Sequence, residues 1–125
     1  MTIQQAIAQV DEMKPNMMST SLKVAKLNEI ESIIHDEIVM AHEHTQEQAV
    51  PPNYDDATDP GTVLILKAPD DVVYVYWLMC EIDKQNMEYD KYNNDKILFQ
   101  DAYDEATNRW TRHHMPVQRT GEFII

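Results

Sequence analysis

The chain has 125 residues and a formal net charge of −12 at neutral pH, from 22 acidic side chains against 10 Lys and Arg. That length suits one domain, and the acidic balance argues against binding nucleic acid phosphates, which takes clustered Lys and Arg. A single Cys excludes an internal disulfide and is expected of an intracellular protein; the start of the chain lacks the basic and apolar regions of a signal peptide, and no run of about 18 apolar residues is present to span a membrane.

Residues 2–13 read as a short helix. Ile3, Ala6, Ile7 and Val10 fall on one face. Thr2 and Gln5 stand at capping-box spacing, and Pro15 stops the helix. A second helix, capped by Ser19 or Thr20, is expected to run to about His44. Leu27, Ile30, Ile34, Ile38 and Ala41 step by three or four into an apolar stripe, with Glu29, Glu31, Asp36 and Glu43 placed on other faces. Residues 46–69 form the main loop. Its run VPPNYDDATDPG concentrates turn-forming residues and carries Asp55, Asp56 and Asp59. Residues 63–66 either pair as a short strand or plug the core.

Pro69, Asp70 and Asp71 open a third helix, with acids at the positive end of its dipole. From Val72 to Ile82 only Glu81 is charged, which suits a helix in the middle of a bundle. Cys80 lies in that run and reads as a small buried apolar residue rather than a nucleophile. One helix over residues 71–114 would be about 65 Å long, so a break or kink is expected near Gln85 and Asn86. Tyr89, Tyr92, Lys96, Phe99, Tyr103, Ala106 and Trp110 then alternate steps of three and four, a heptad seam with one lysine in it. Pro116 ends that helix. Trp77, Tyr92, Phe99, Tyr103 and Trp110 are the expected aromatic core.

The predicted fold is therefore all-α, a small bundle of about four helices with a long acidic loop and an extended C-terminal tail. Residues 1–116 form the domain and residues 117–125 an arm. Between Ala106 and Gly121 there is no acid, while Arg109, Arg112 and Arg119 stand with His113 and His114. Cations at a helix end complement its dipole. The sharper reading is a subunit contact in which Arg109 and Arg112 meet Asp55, Asp56 and Asp59 of an identical chain. The arm, with Val117, Arg119, Phe123, Ile124 and Ile125, is free to pair with its own domain or another chain.

The sequence carries none of the common catalytic or metal-binding patterns. No His follows a Glu at the spacing of a bundle di-iron site. His35 and His42 share a helix face, but two ligands fall below the usual metal set. The segment DDATDPG lacks the spaced acids of a calcium loop, and no phosphate-cradling glycine loop or G-x-S-x-G elbow occurs. Lys84, three residues after Glu81, breaks the carboxylate pattern of all-helical magnesium-dependent nucleotide hydrolases. The chain is expected not to be an enzyme, with no catalytic, metal or cofactor residue assigned.

The run Asp70-Asp71-Val72, Tyr76-Trp77-Leu78, Ile82-Asp83, Asn86, Glu88, Tyr92-Asn93-Asn94, Phe99, Ala102-Tyr103, Trp110, Arg112 and Met115-Pro116 resembles a family of small tailed-phage proteins, the head–tail connectors, also called adaptor or head-completion proteins. The likeness extends in layout to the short first helix and the Ile- and Glu-rich second. It implies a helical module that assembles as a homo-oligomeric ring of about twelve copies under the portal. Such a ring meets the next neck or tail protein and passes DNA through its channel without specific binding. It also implies a location in the virion neck, after assembly in the host cytoplasm, and a terminal segment that reaches the portal; on this chain that segment is residues 117–125. The alternative is an acidic regulatory protein that mimics DNA and occupies a basic enzyme surface.

Overall fold

Four α-helices carry the chain in the computed structural model, which describes residues 1–117: α1 (Ile3–Met13), α2 (Thr20–Ile34), α3 (Val72–Gln85) and α4 (Tyr89–His113). Among the described residues β pairing is limited to two isolated bridges. The expected all-α bundle forms.

Local signals set the helix ends. The Thr2 hydroxyl accepts the Gln5 N–H (3.1 Å), and the Gln5 side chain accepts the Thr2 N–H (2.9 Å), a complete capping box. Ser19 caps α2 by accepting the Leu22 N–H at 3.1 Å. The second helix is shorter than the stripe suggests. After Ile34 it widens into a π turn over His35–Val39, where the Met40 N–H reaches back to the His35 carbonyl at 2.9 Å. It then stops because other groups take over its last bonds. The His42 Nδ1 occupies the Ile38 carbonyl at 2.7 Å, and the Glu43 N–H donates to the Met115 carbonyl at 2.7 Å.

The break between α3 and α4 falls where helix length required it. No glycine stands there; Met87 takes the left-handed conformation, with φ of 57°, which costs a non-glycine residue about 1 kcal/mol. In return the end of α3 is closed. The Asn86 N–H donates to Ile82 (2.9 Å), Met87 to Lys84 (3.2 Å) and Glu88 to Asp83 (2.9 Å).

The centrally packed helix is α3, in contact with α1, α2 and α4. It buries Val73, Tyr74, Val75, Leu78 and Ile82 against Leu27, Ile30, Ile34 and Ile38 of α2 and its π turn. The loop seals this core: Leu64 and Leu66 are buried as a plug. The plug is tied to the start of α1 by Ile3 N–H to Thr62 (3.1 Å) and Gln4 N–H to Pro60 (3.0 Å), with Val63 bridging Thr2. Of the two expectations for residues 63–66, the plug is what forms; pairing is limited to the isolated bridge at Val63.

The aromatic residues sit further out than expected. Trp77, Phe99, Tyr103 and Trp110 are half-buried and lie against the core rather than inside it. The ring of Phe99 is 5.3 Å from Trp77 and 5.8 Å from Tyr103, and Trp77 donates its indole N–H to the Lys26 carbonyl at 2.8 Å. Tyr92 is half-buried with the ammonium groups of Lys84 and Lys96 each 5.8 Å from its ring centre. The cause is the position of α4, which covers one side of the bundle and fully buries only Asp95 and Ala106.

A carboxylate sits at the centre instead. Glu31, placed off the apolar stripe by the sequence, is fully buried. Its Oε1 accepts from the Tyr74 hydroxyl at 2.6 Å; its Oε2 accepts from the Tyr54 hydroxyl at 2.9 Å and the Ile65 N–H at 3.0 Å. Tyr74 in turn accepts the Leu66 N–H at 2.9 Å. Burial raises the Glu31 pKa, and the three donors oppose that rise. One side chain thereby joins α2, α3 and the plug. Tyr74→Phe, which removes the donor to Glu31 Oε1 and the acceptor of the Leu66 N–H, should lower stability in urea by about 1–3 kcal/mol. Tyr54→Phe, at a half-buried position, should cost less. A Tyr74→Phe variant as stable as wild type would contradict this role.

Candidate functional site

The carboxyl end of α4 borders a cavity with Arg109, Trp110 and His113. Thr111 Oγ1 lies 2.9 Å from the His42 Nε2, which locks the end of α4 to the segment after the π turn. Residues 115–117 then run antiparallel to residues 41–43. The Val117 N–H donates to the Ala41 carbonyl at 3.0 Å, and Pro116 bridges His42. Val117, the first residue of the predicted arm, is therefore held on the domain. Arg119, Phe123, Ile124 and Ile125 lie outside the described residues.

Beside this root is a cavity of about 660 Å³. The π turn supplies Val39, the plug Leu64 and Leu66, and α4 Arg109 and Trp110, with Glu47 and Asp70 also in the wall. His35 Nε2 lies 2.8 Å from the Gln48 carbonyl and ties the loop wall to the π turn. Trp110 stacks on His114, with ring centres 4.4 Å apart and planes 14° from parallel. The Trp110 indole N–H is buried and has no acceptor among the described residues.

The residues predicted to join two subunits are not joined within one. Arg109 donates its Nε–H to Asp70 at 2.9 Å rather than to the loop acids. Arg112 is exposed and makes no ion pair among the described residues. Asp55 and Asp56 border a second groove, between the loop, α1 and α2, where Asp11 joins them. Asp55 accepts the Ala57 N–H and Asp59 the Gly61 N–H, each at 2.8 Å, so each shapes its own turn. The sequence reading missed Asp70 as the partner of Arg109, because its place at a helix start already accounted for it. It also missed His35 and His42 as ties between segments; both had been weighed only as metal ligands.

Two further clusters carry titratable groups. Burial, followed by the charges of Asp95, Asp83 and Glu81, pushes the Cys80 thiol up to about 12, so it stays protonated and unreactive at neutral pH. Lys14, just past α1, bridges Asp83 of α3 at 2.9 Å and Asp95 of α4 at 3.0 Å. Asp83 is fully buried, and its pKa rises to about 6 through burial and its contact with Asp95, against the pull of Lys14. Among the described residues no group of three or more His, Cys, Asp or Glu side chains is placed to hold a metal ion, and no helix is long and apolar enough to cross a membrane. No protein-family model, curated protein or solved structure matches the chain.

The Asp83 shift has a defined sign. The folded state holds this proton more tightly than the unfolded chain, whose ordinary value is 3.8. Stability therefore rises as pH falls through about 6 and is lost again as pH is raised through the same point. Unfolding in urea at pH 5 should show about 1–2 kcal/mol more stability than at pH 7.5, and Asp83→Asn should reduce that difference. A chain equally stable at both pH values would contradict the assignment.

Proposed function

We propose that this chain is a structural neck protein of a tailed phage, a head–tail connector that docks as a ring under the portal and joins the DNA-filled head to the tail. The observation that carries the reading is the way the domain ends. Residues 115–117 are pinned to residues 41–43, which fixes on the helical body the root of the following residues, among them Phe123, Ile124 and Ile125. An apolar segment with extended-chain residues, anchored at one end, suits addition to a partner's surface. The net charge of −12 adds support, since an acidic wall lets DNA pass without adhering.

In this reading the portal and the next neck or tail protein are the partners, and the domain supplies shape and surface rather than chemistry. Arg112 is the better candidate for a contact between copies. It is exposed, whereas Arg109 already serves Asp70. The exposed Asp55 and Asp56 are the acceptors offered by the neighbouring copy.

A chain ending at Val117 should unfold at the wild-type temperature yet fail to co-sediment with the portal of its own phage. Wild-type co-sedimentation by that truncated chain would overturn the arm's role. Arg112→Glu should leave the fold intact and reduce the number of copies held per portal; an unchanged number would remove Arg112 from the contact.

A further inference from the structure

We infer that copies of this chain associate head to tail, with the carboxyl end of α4 of one copy seated in the groove between the loop, α1 and α2 of the next. This contact rests on the pairing of Arg112 with a neighbouring copy in the connector reading. It adds the surface that receives Arg112, and it forms between chains without a portal. The groove has a volume of about 680 Å³. Ile7, Ala8 and Val24 give it an apolar wall, and among the described residues its charged lining is all acid: Asp11, Asp55 and Asp56. Lys23 answers the charge of Asp11 at 2.6 Å. Asp55 accepts the Ala57 N–H but pairs with no cation among the described residues, and Asp56 there makes neither ion pair nor hydrogen bond. The loop wall is fixed on both sides of these two acids. The Tyr54 N–H donates to the Asn28 side chain of α2 at 2.8 Å, and the Gln4 N–H to the Pro60 carbonyl at 3.0 Å. A wall already held in place loses little freedom when it closes on a partner.

The other end of the molecule carries the matching chemistry. Arg112 and His113 are exposed, Met115 is 68% exposed, and the chain has no acid between Ala106 and Val117. Glu43 lies beside Met115 and donates its N–H to the Met115 carbonyl at 2.7 Å, but it forms no ion pair with Arg112. Arg112 therefore keeps its guanidinium for a carboxylate, which it can grip with two parallel hydrogen bonds. The thioether of Met115 is a flexible apolar group that fills irregular surface such as the Ile7, Ala8 and Val24 wall. The two surfaces stand at opposite ends of α2. Val24 lies near its start, whereas Met115 is fixed beside Glu43, beyond the π turn. The 15 residues of α2 alone span about 22 Å. One chain cannot close this contact on itself, and a contact between unlike surfaces repeats from copy to copy instead of ending at a pair.

The test is sedimentation velocity of the full chain alone over a range of concentrations. Its mass should rise with concentration past that of a dimer and fall back as salt is raised. Asp56→Arg and Arg112→Asp, both at exposed positions, should each sediment as a monomer. Asp56→Arg lowers the net negative charge, so general repulsion alone would make that variant associate more, not less. Mixed in equal amounts, the two variants should form a pair holding one of each, weighed by native mass spectrometry, because the first keeps the arginine end and the second keeps the groove. Met115→Ser should weaken association several-fold. A full chain that is monomeric at every concentration would overturn the inference. So would a series that stops at the dimer, single variants that associate as wild type does, or a mixture of them that stays monomeric. The connector reading fails separately: a monomeric chain that binds the portal would remove this contact alone, and an associating chain that ignores the portal would remove the connector reading alone.

Discussion

The fold depends on a carboxylate in its centre. Glu31 is fully buried among Leu27, Ile30 and Ile34, a place where an isolated charge would cost several kcal/mol. It is kept there by three donors, two of them tyrosine hydroxyls, and each hydrogen bond to a charged group contributes about 1.5–3 kcal/mol. The donors come from different parts of the chain: Tyr74 from α3, Tyr54 and Ile65 from the loop. Apolar packing of α2 on α3 would tolerate several registers; this network is satisfied in one. It also explains how a long loop becomes part of the core, since Ile65 and Leu66 spend their N–H groups on the network while Leu64 and Leu66 fill the space around it.

A second polar centre closes the other side of α3. Lys14 holds Asp83 and Asp95 together, and so ties the exit of α1 to the α3–α4 junction. Here two acids share one cation, and burial, followed by the contact with Asp95, raises Asp83 against the pull of Lys14. The same imbalance runs through the whole chain at a net charge of −12. The domain gains from a proton taken up at Glu31 or Asp83, whose pKa values burial raises.

Much of this was legible in local sequence. Thr2 with Gln5, and Ser19 before an apolar stripe, marked helix starts through groups that bond within three residues. The near-uniform apolar run from Val72 to Ile82 announced the central helix. Simple length arithmetic placed the break near Asn86, although Met87 supplies the turn that glycine more often would. Glu31 could have been found, for it stands four residues after Leu27 and three before Ile34. Reading acids as outward-facing hid it, and its partners, 23 to 43 residues further on, leave no periodic trace. The pairing of Arg109 with Asp70 spans 39 residues and was invisible for the same reason. The heptad seam of α4 showed which face turns inward but not how deeply. That depth depends on α3 and the plug already filling the centre, which leaves Phe99, Tyr103 and Trp110 as a cover.

Residues 115–117 thus lie fixed against residues 41–43, on a strongly acidic helical body. The proposed connector role asks for a rigid module, and the helical bundle supplies one. The most direct measurement is native mass spectrometry of the full chain mixed with the assembled portal of its own phage. The account predicts a complex carrying about twelve copies of the chain on each portal ring. Intact portal rings with no bound chain would contradict it.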